Sequence, residues 1–236
     1  MSAPTGTAGI RHSQTMNARQ WTEIGQEILA FLLAASCPGC DRTGTLLCEQ
    51  CHSALTAAPT EVITPGGLRV QSALSYQGVV ARSIRRVKEE GATMLARPLG
   101  RALATVLAPA AAGGALIATV PTSRAAFRRR GFRVPELLVR RAGFAAQRML
   151  LPARATGDQR GLSRDERARN VSGSIRTRSP AERGRPVVIV DDVVTTGATL
   201  DEAARALRAA GFRSVRAVTL AATPRHCDTP KSDAVG

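Results

Sequence analysis

Residues 186–200 read PVVIVDDVVTTGATL, and the fold follows from how that stretch is parsed. Val187, Val188, Ile189 and Val190 form an unbroken β-branched run, the pattern of a strand buried on both faces of a parallel sheet. A helix should follow, because Leu200, Ala203, Ala204 and Leu207 recur at helical spacing, Asp201 and Glu202 occupy its first turn, and Gly211 stands where it should stop. Between them lie Thr195, Thr196, Gly197, Ala198 and Thr199, a hydroxyl-rich loop whose backbone N–H groups gather at a helix N-terminus. Such a loop is an anion cradle, where aligned peptide dipoles favour negative charge by about 0.3–2 kcal/mol. Asp191 and Asp192, just before it, would repel a bare phosphate unless they face hydrogen-bond donors, such as vicinal ribose hydroxyls, or a magnesium ion. A phosphorylated ribose satisfies both halves; the plain alternative is a strand, an acidic turn and a capped helix with no ligand. Other phosphate motifs are missing. No Gly-rich loop ends in Lys-Ser/Thr, no GxGxxG opens a helix, and Val193 stands where a DxDxT phosphatase would need its second aspartate.

A second dense motif lies far upstream. Cys37, Cys40, Cys48 and Cys51 give C-x2-C-x7-C-x2-C, written CPGCDRTGTLLCEQC. Two such knuckles turn four thiolates toward one tetrahedral zinc, with Gly39 and Gly44 permitting tight turns. The alternative is two disulfides or four unrelated thiols. With all four positions filled by protein, the zinc would be structural and would order a segment too small for its own core. His52, His226 and Cys227 are read as surface or unpaired residues. A reducing, cytoplasmic compartment is expected, since ILAFLLAAS before Cys37 makes a poor lipoprotein signal: Glu23 and Glu27 abut a very short apolar region.

The chain of 236 residues is strongly basic, with 33 Lys and Arg against 18 Asp and Glu. Much of the excess is local: from Arg124 to Arg185 seventeen Arg stand against five carboxylates. Such a field attracts polyanions, whether a pyrophosphate-bearing nucleotide or nucleic acid, and charge alone does not choose between them or exclude a merely solvated face. With one Trp, one Tyr and five Phe there is little on which to stack single-stranded bases. No apolar run reaches the ~18 residues of a membrane span, so no span is expected.

Taken in order, residues 1–18 read as a disordered tail, and 19–58 as an amphipathic helix (Trp21, Ile24, Ile28, Phe31, Leu32) followed by the four-Cys module. After a Pro/Gly link, residues 68–222 form the main domain. Leu68–Tyr76 alternates as a strand, an amphipathic stretch runs through Val79, Val80, Ile84 and Val87 to Lys88, and a helix is expected over 92–107. Ala115–Val120 reads as a second buried strand, Pro135–Gly143 as a helix and Ser214–Ala221 as the last strand, with a polar tail over 223–236. Between them ATGDQRGLSRDERARNVSGSI is polar and charged, either a loop able to close over a phosphate ligand or an exposed linker.

VVIVDDVVTTGATL resembles the phosphoribosyl pyrophosphate signature of type I phosphoribosyltransferases. The resemblance implies that Asp191 and Asp192 bind ribose hydroxyls, that Thr195, Thr196, Gly197, Ala198 and Thr199 bind the 5′-phosphate, and that Pro121, Thr122, Ser123 and Arg124 follow the first core strand as a pyrophosphate loop. The CxxC pair, Tyr76-x-Gly78 with Lys88, then VPTSR, RRGF, DQRGLSRDERARNV and the signature, in that order, resemble the ComF family of competence-associated proteins over roughly residues 28–222. Arg133 and Val134 stand where that family commonly has Asn and Gln or His.

The expected fold is α/β, a mainly parallel sheet of about five strands flanked by helices, with a zinc-ribbon-like N-terminal module. Two functions are implied. One is an enzyme that binds phosphoribosyl pyrophosphate with magnesium and transfers ribose 5-phosphate to an acceptor. Asp191, Asp192 and Arg124 would then be its catalytic residues. The other is a non-catalytic adaptor in DNA uptake that holds single-stranded DNA or a helicase partner. A regulator sensing the nucleotide precursor would share the first site.

Overall fold

The computed structural model describes residues 35–153, 172–178 and 184–224. The expected N-terminal tail and amphipathic helix, most of the charged loop, Cys227 and the C-terminal tail beyond Thr223 and Pro224 lie outside the described residues.

The β-branched run is the middle of the molecule. Strand β6 (Val187–Val194) pairs in parallel with β3 (Leu116–Thr119) on one side and β7 (Val215–Ala222) on the other. Strand β2 (Arg69–Ser75) adds in parallel to β7, and β1 (Thr60–Ile63) closes the far edge antiparallel, giving the order β1-β2-β7-β6-β3. Four parallel strands with one antiparallel edge make the expected α/β sheet. Val187, Val188, Ile189 and Val190 are each no more than 1% exposed. Burying each such side chain contributes about 1.5–3 kcal/mol.

Alternation along β6 divides the core into two layers. Val188 and Val190 pack with α2 (Gly78–Arg85), α3 (Ala96–Ala111) and α5 (Val134–Arg141), through Ile84, Leu99, Leu103 and Leu138. Val187 and Ile189 face the opposite layer, where α6 (Ala198–Ala209) supplies Leu200, Ala203 and Leu207. Leu150 and Ile175 join this layer from a two-stranded ribbon, β4 (Leu150–Pro152) with β5 (Ile175–Thr177). Buried Glu202 fastens that ribbon to α6, accepting from the Ile175 amide at 3.2 Å and from Arg205 at 2.7 and 2.8 Å.

Three expectations are corrected in detail. The strand does not stop before the carboxylates but continues through them to Val194, because Asp191, Val193 and Val194 stay in register with β7. The helix expected over 92–107 begins as a 3-10 turn at Thr93 and runs to Ala111, tolerating Pro109 near its exposed C-terminal end. A helix absent from the sequence reading, α4 (Arg124–Arg130), follows the second loop; the Ser123 hydroxyl caps it by accepting from Ala126 N at 3.2 Å. Three consecutive arginines obscured its pattern, and no residue of it is buried.

Candidate sugar-phosphate site and metal centre

Parallel pairing of β3 with β6 brings the two expected ligand loops together. Thr119 stands opposite Val190, and Val120 N donates to Val190 O at 2.9 Å, so the 120–124 loop leaves the sheet level with Asp191. The C-terminal ends of adjacent parallel strands are where open α/β sheets hold ligands.

On the β6 side, Asp192 is buried and Asp191 half-buried, and the Asp192 amide donates to Asp191 Oδ1 at 2.8 Å. Past Val194 the chain turns at Thr195 and Thr196 into Gly197, whose φ of +83° suits glycine. A Cβ there would lie 2.5 Å from Thr64 Cγ2, so the position needs both the left-handed backbone and the missing side chain. Thr196 Oγ1 accepts from Ala198 N at 3.4 Å, and Ala198 and Thr199 already belong to α6. No side chain of Gly197 caps this helix, so first-turn N–H groups face the loop. Asp201 is turned aside, accepting from Thr64 Oγ1 at 2.5 Å and Gly66 N at 2.9 Å, which pins the β1–β2 turn to α6.

The acidic pair has a counter-ion that the sequence reading did not place. Lys88 Nζ donates to Asp192 Oδ1 at 2.8 Å. Lys88 lies in a π-helical turn, Arg86–Glu90, continuing α2, and its carbonyl accepts from Arg130 Nε of α4 at 2.5 Å. Burial alone would lower the lysine, but the charges of Asp192 and Asp191, with Tyr76, outweigh it and hold the ammonium above its ordinary range. Burial first, then the charge of Asp192, pushes Asp191 up to about 7 against the opposing pull of Lys88 and the Asp192 amide.

On the β3 side the loop is cationic. Pro121, Thr122 and Arg124 line a cavity of about 460 Å³ with Thr119, Arg128, Arg133, Arg148 and Arg176. Only Arg124 among these arginines has a ligand role on the sequence reading, with Arg133 marked there as a departure from the family pattern; the others come from α4, the head of α5, the approach to β4, and β5.

The four cysteines meet as their spacing predicts. One sulfur from each of Cys37, Cys40, Cys48 and Cys51 lies within 4.8 Å of the rest. Cys37–Cys48 and Cys40–Cys48 sulfur separations are 3.8 and 3.6 Å. Four sulfurs at a Zn–S distance of about 2.3 Å stand about 3.8 Å apart along a tetrahedron's edges, so the cluster fits zinc. None of the four is paired as a disulfide. Gly39 is required here, since a Cβ would sit 2.3 Å from Cys51 Sγ. Exposed His52 is outside the cluster. The module is fastened to α2: Arg82 donates to the Pro38 and Gly39 carbonyls at 3.0 and 2.6 Å, and Arg86 to the Ser36 carbonyl at 3.0 Å.

Residues 139–235 match the model of the phosphoribosyl transferase domain. Over 206 aligned residues the chain is 30% identical to the DNA utilization protein YhgH of Escherichia coli K12, covering 81% of this chain and 90% of that protein. The chain belongs to the ComF family. The Salmonella typhi protein of the same name is 29% identical over the same share of each chain. Among solved structures, the Bacillus subtilis glutamine phosphoribosylpyrophosphate amidotransferase overlaps with 55% of this ComF-family chain at 22% identity and a TM-score of 0.36. The chain spans 26% of that enzyme. Orotate phosphoribosyltransferase from Aeropyrum pernix overlaps with 72% of it at 17% identity and a TM-score of 0.31, covering 89% of that chain. Both overlaps are loose, and the assignment rests on the sequence matches and the sheet. Among the described residues no helix is long and apolar enough to cross a membrane.

Proposed function

We propose that the chain binds phosphoribosyl pyrophosphate at the β6 and β3 strand ends and transfers ribose 5-phosphate to an acceptor, releasing pyrophosphate. The observation that carries this reading is the shared origin of the two loops at Thr119 and Val190, which sets an acidic pair and a hydroxyl loop beside a cationic one. Asp191 and Asp192 accept from the ribose hydroxyls, and the amides and hydroxyls of 195–199 receive the 5′-phosphate. Arg124 neutralises the leaving pyrophosphate as charge develops at the anomeric carbon. Two carboxylates are hard oxygen donors suited to magnesium, which supplies charge neutralisation to the diphosphate. The zinc module braces α2 and so Lys88. Reduced thiolate ligation suits a cytoplasmic setting. In this reading residues 19–58 form the zinc unit and 68–222 the transferase domain.

The name of the curated relatives favours a second reading, in which this surface serves DNA uptake by holding single-stranded DNA or a helicase. The two separate by titration. Calorimetry of phosphoribosyl pyrophosphate with magnesium should give micromolar binding that the Asp191→Asn, Asp192→Asn variant loses. No heat from folded, zinc-loaded protein overturns the first reading. Single-strand binding that survives this variant, with a salt slope of about −0.7 per contacted phosphate, favours the second.

A further inference from the structure

The cavity beside the 120–124 loop is larger and differently made than a pyrophosphate loop needs. Neither Asp191, Asp192 nor any residue of 195–199 lines it. Its walls are α4, the start of α5 and the β4–β5 ribbon, and its volume of about 460 Å³ falls within the ~300–1,000 Å³ of small-molecule sites. Among the described residues, five arginines and one carboxylate, Glu136, line it. That carboxylate is already engaged: Arg148 donates to both its oxygens at 3.0 and 2.9 Å, and Arg133 lies 3.7 Å away. Among the described residues no carboxylate pairs with Arg124, Arg128 or Arg176. Three guanidiniums with no carboxylate partner among the described residues therefore line one concave surface, which favours an anion there.

The same cavity carries an aromatic ring. Phe127 lines it, is 36% exposed, and has the Arg133 guanidinium 4.3 Å from its ring centroid. In a chain with one Trp, one Tyr and five Phe, an exposed ring stacked with arginine inside an arginine-lined pocket is a poor use of apolar surface unless a flat ligand covers it. Inorganic pyrophosphate would satisfy the charges without covering the exposed part of the Phe127 ring.

We infer that this pocket binds a nucleoside monophosphate, with its phosphate among Arg124, Arg128 and Arg176 and its base against the Phe127–Arg133 pair. The inference shares Arg124 with the sugar-phosphate reading but does not rest on it, since the acidic pair takes no part.

Adenosine 5′-monophosphate, ribose 5-phosphate and pyrophosphate are the probes, each titrated calorimetrically into the zinc-loaded full chain. Adenosine 5′-monophosphate should bind at least fivefold more tightly than ribose 5-phosphate, and Phe127→Ala should erase that difference. Arg128→Ala with Arg176→Ala should weaken it at least tenfold. The equal charge change Arg213→Ala with Arg216→Ala, both exposed on the far end of the sheet, should cost less than twofold. Asp191→Asn with Asp192→Asn should leave it unchanged, whether or not that variant loses phosphoribosyl pyrophosphate. The proposal is overturned if adenosine 5′-monophosphate does not bind, if both arginine pairs weaken it alike, if pyrophosphate competes while Phe127→Ala changes nothing, or if the aspartate variant abolishes it.

Discussion

The ends of β6 and β3 lie side by side and are built in opposite ways. At the β6 end, charge is buried, paired and packed: Asp192 is held by Lys88, and Gly197 sits against Thr64. At the β3 end, charge is exposed and in excess, on a helix with no buried residue. The first end is part of the core and the second is laid on its surface. Changes at the first should therefore be read in stability as well as binding, and changes at the second in binding alone.

The largest test of that contrast is removal of zinc. Chelation or Cys48→Ser should strip one zinc per chain and loosen the grip of Arg82 and Arg86 on residues 36–39. Metal analysis with calorimetry should then show phosphoribosyl pyrophosphate binding falling more than tenfold while nucleotide binding at the β3 end stays within about twofold, given that structural zinc contributes on the order of 10 kcal/mol to local order. Equal losses at both ends would break the contrast.

Lys88→Ala comes next, because it leaves Asp192 buried without its counter-ion. A cost of about 2–4 kcal/mol, read as a Tm lower by roughly 5–10 °C, is expected, and adding Asp192→Asn should recover most of it. A double variant as unstable as the single one would show that the ion pair is not the cause. Gly197→Ala should cost about 1–3 kcal/mol through its left-handed backbone and the Thr64 contact, with Thr64→Ser giving partial relief in thermal melts.

Titration of Asp191 has a smaller effect with a defined sign. Its folded value of about 7 lies above the ordinary 3.8, so the folded chain keeps a proton that the unfolded chain releases. The associated stability is fully present below pH 4 and is lost as pH rises through 7. Asp191→Asn should therefore raise Tm at pH 8 by about 3 °C or more and lose that advantage progressively toward pH 4. If Asp191 accepts from the ribose hydroxyls as proposed, phosphoribosyl pyrophosphate should bind the wild type more weakly below pH 7, by at most about tenfold per unit. Smallest of all, Arg128→Gln should leave Tm within about 1 °C, as expected for an exposed side chain with no ion-pair partner among the described residues.

The same contrast explains what could be read from sequence. The β6 end is contiguous, so Pro186–Leu200 announced strand, acids, loop and helix together, and the error was confined to where the strand stops. Cys37, Cys40, Cys48 and Cys51 were legible for the same reason. The β3 end is assembled from segments as far apart as Thr119 and Arg176, and apart from Arg124 its arginines carry no ligand signal within a field of seventeen. Lys88 stands in the sequence as the end of an amphipathic stretch and as part of a family pattern, with no sign of its partner. Its role depends on a contact across 104 residues that no local periodicity encodes.

The order in which the sheet is threaded has a bearing on how the protein is made. Strand β2 is among the first parts of the described chain to be synthesised, yet its inner neighbour is β7, the last of the described strands. Ser72 Oγ and Thr219 Oγ1 meet at 2.6 Å across 147 residues. Until Val215–Ala222 has left the ribosome, Val70, Ala73 and Leu74 have no inner strand to pair with, and β1 and β2 can form only a marginal hairpin beside the four-cysteine module. Such long-range closure is slow and leaves an apolar edge open during synthesis. A chain halted before β7 would therefore present that edge to other chains, and the yield of soluble protein should depend on how quickly Val215–Ala222 follows β2 out of the ribosome.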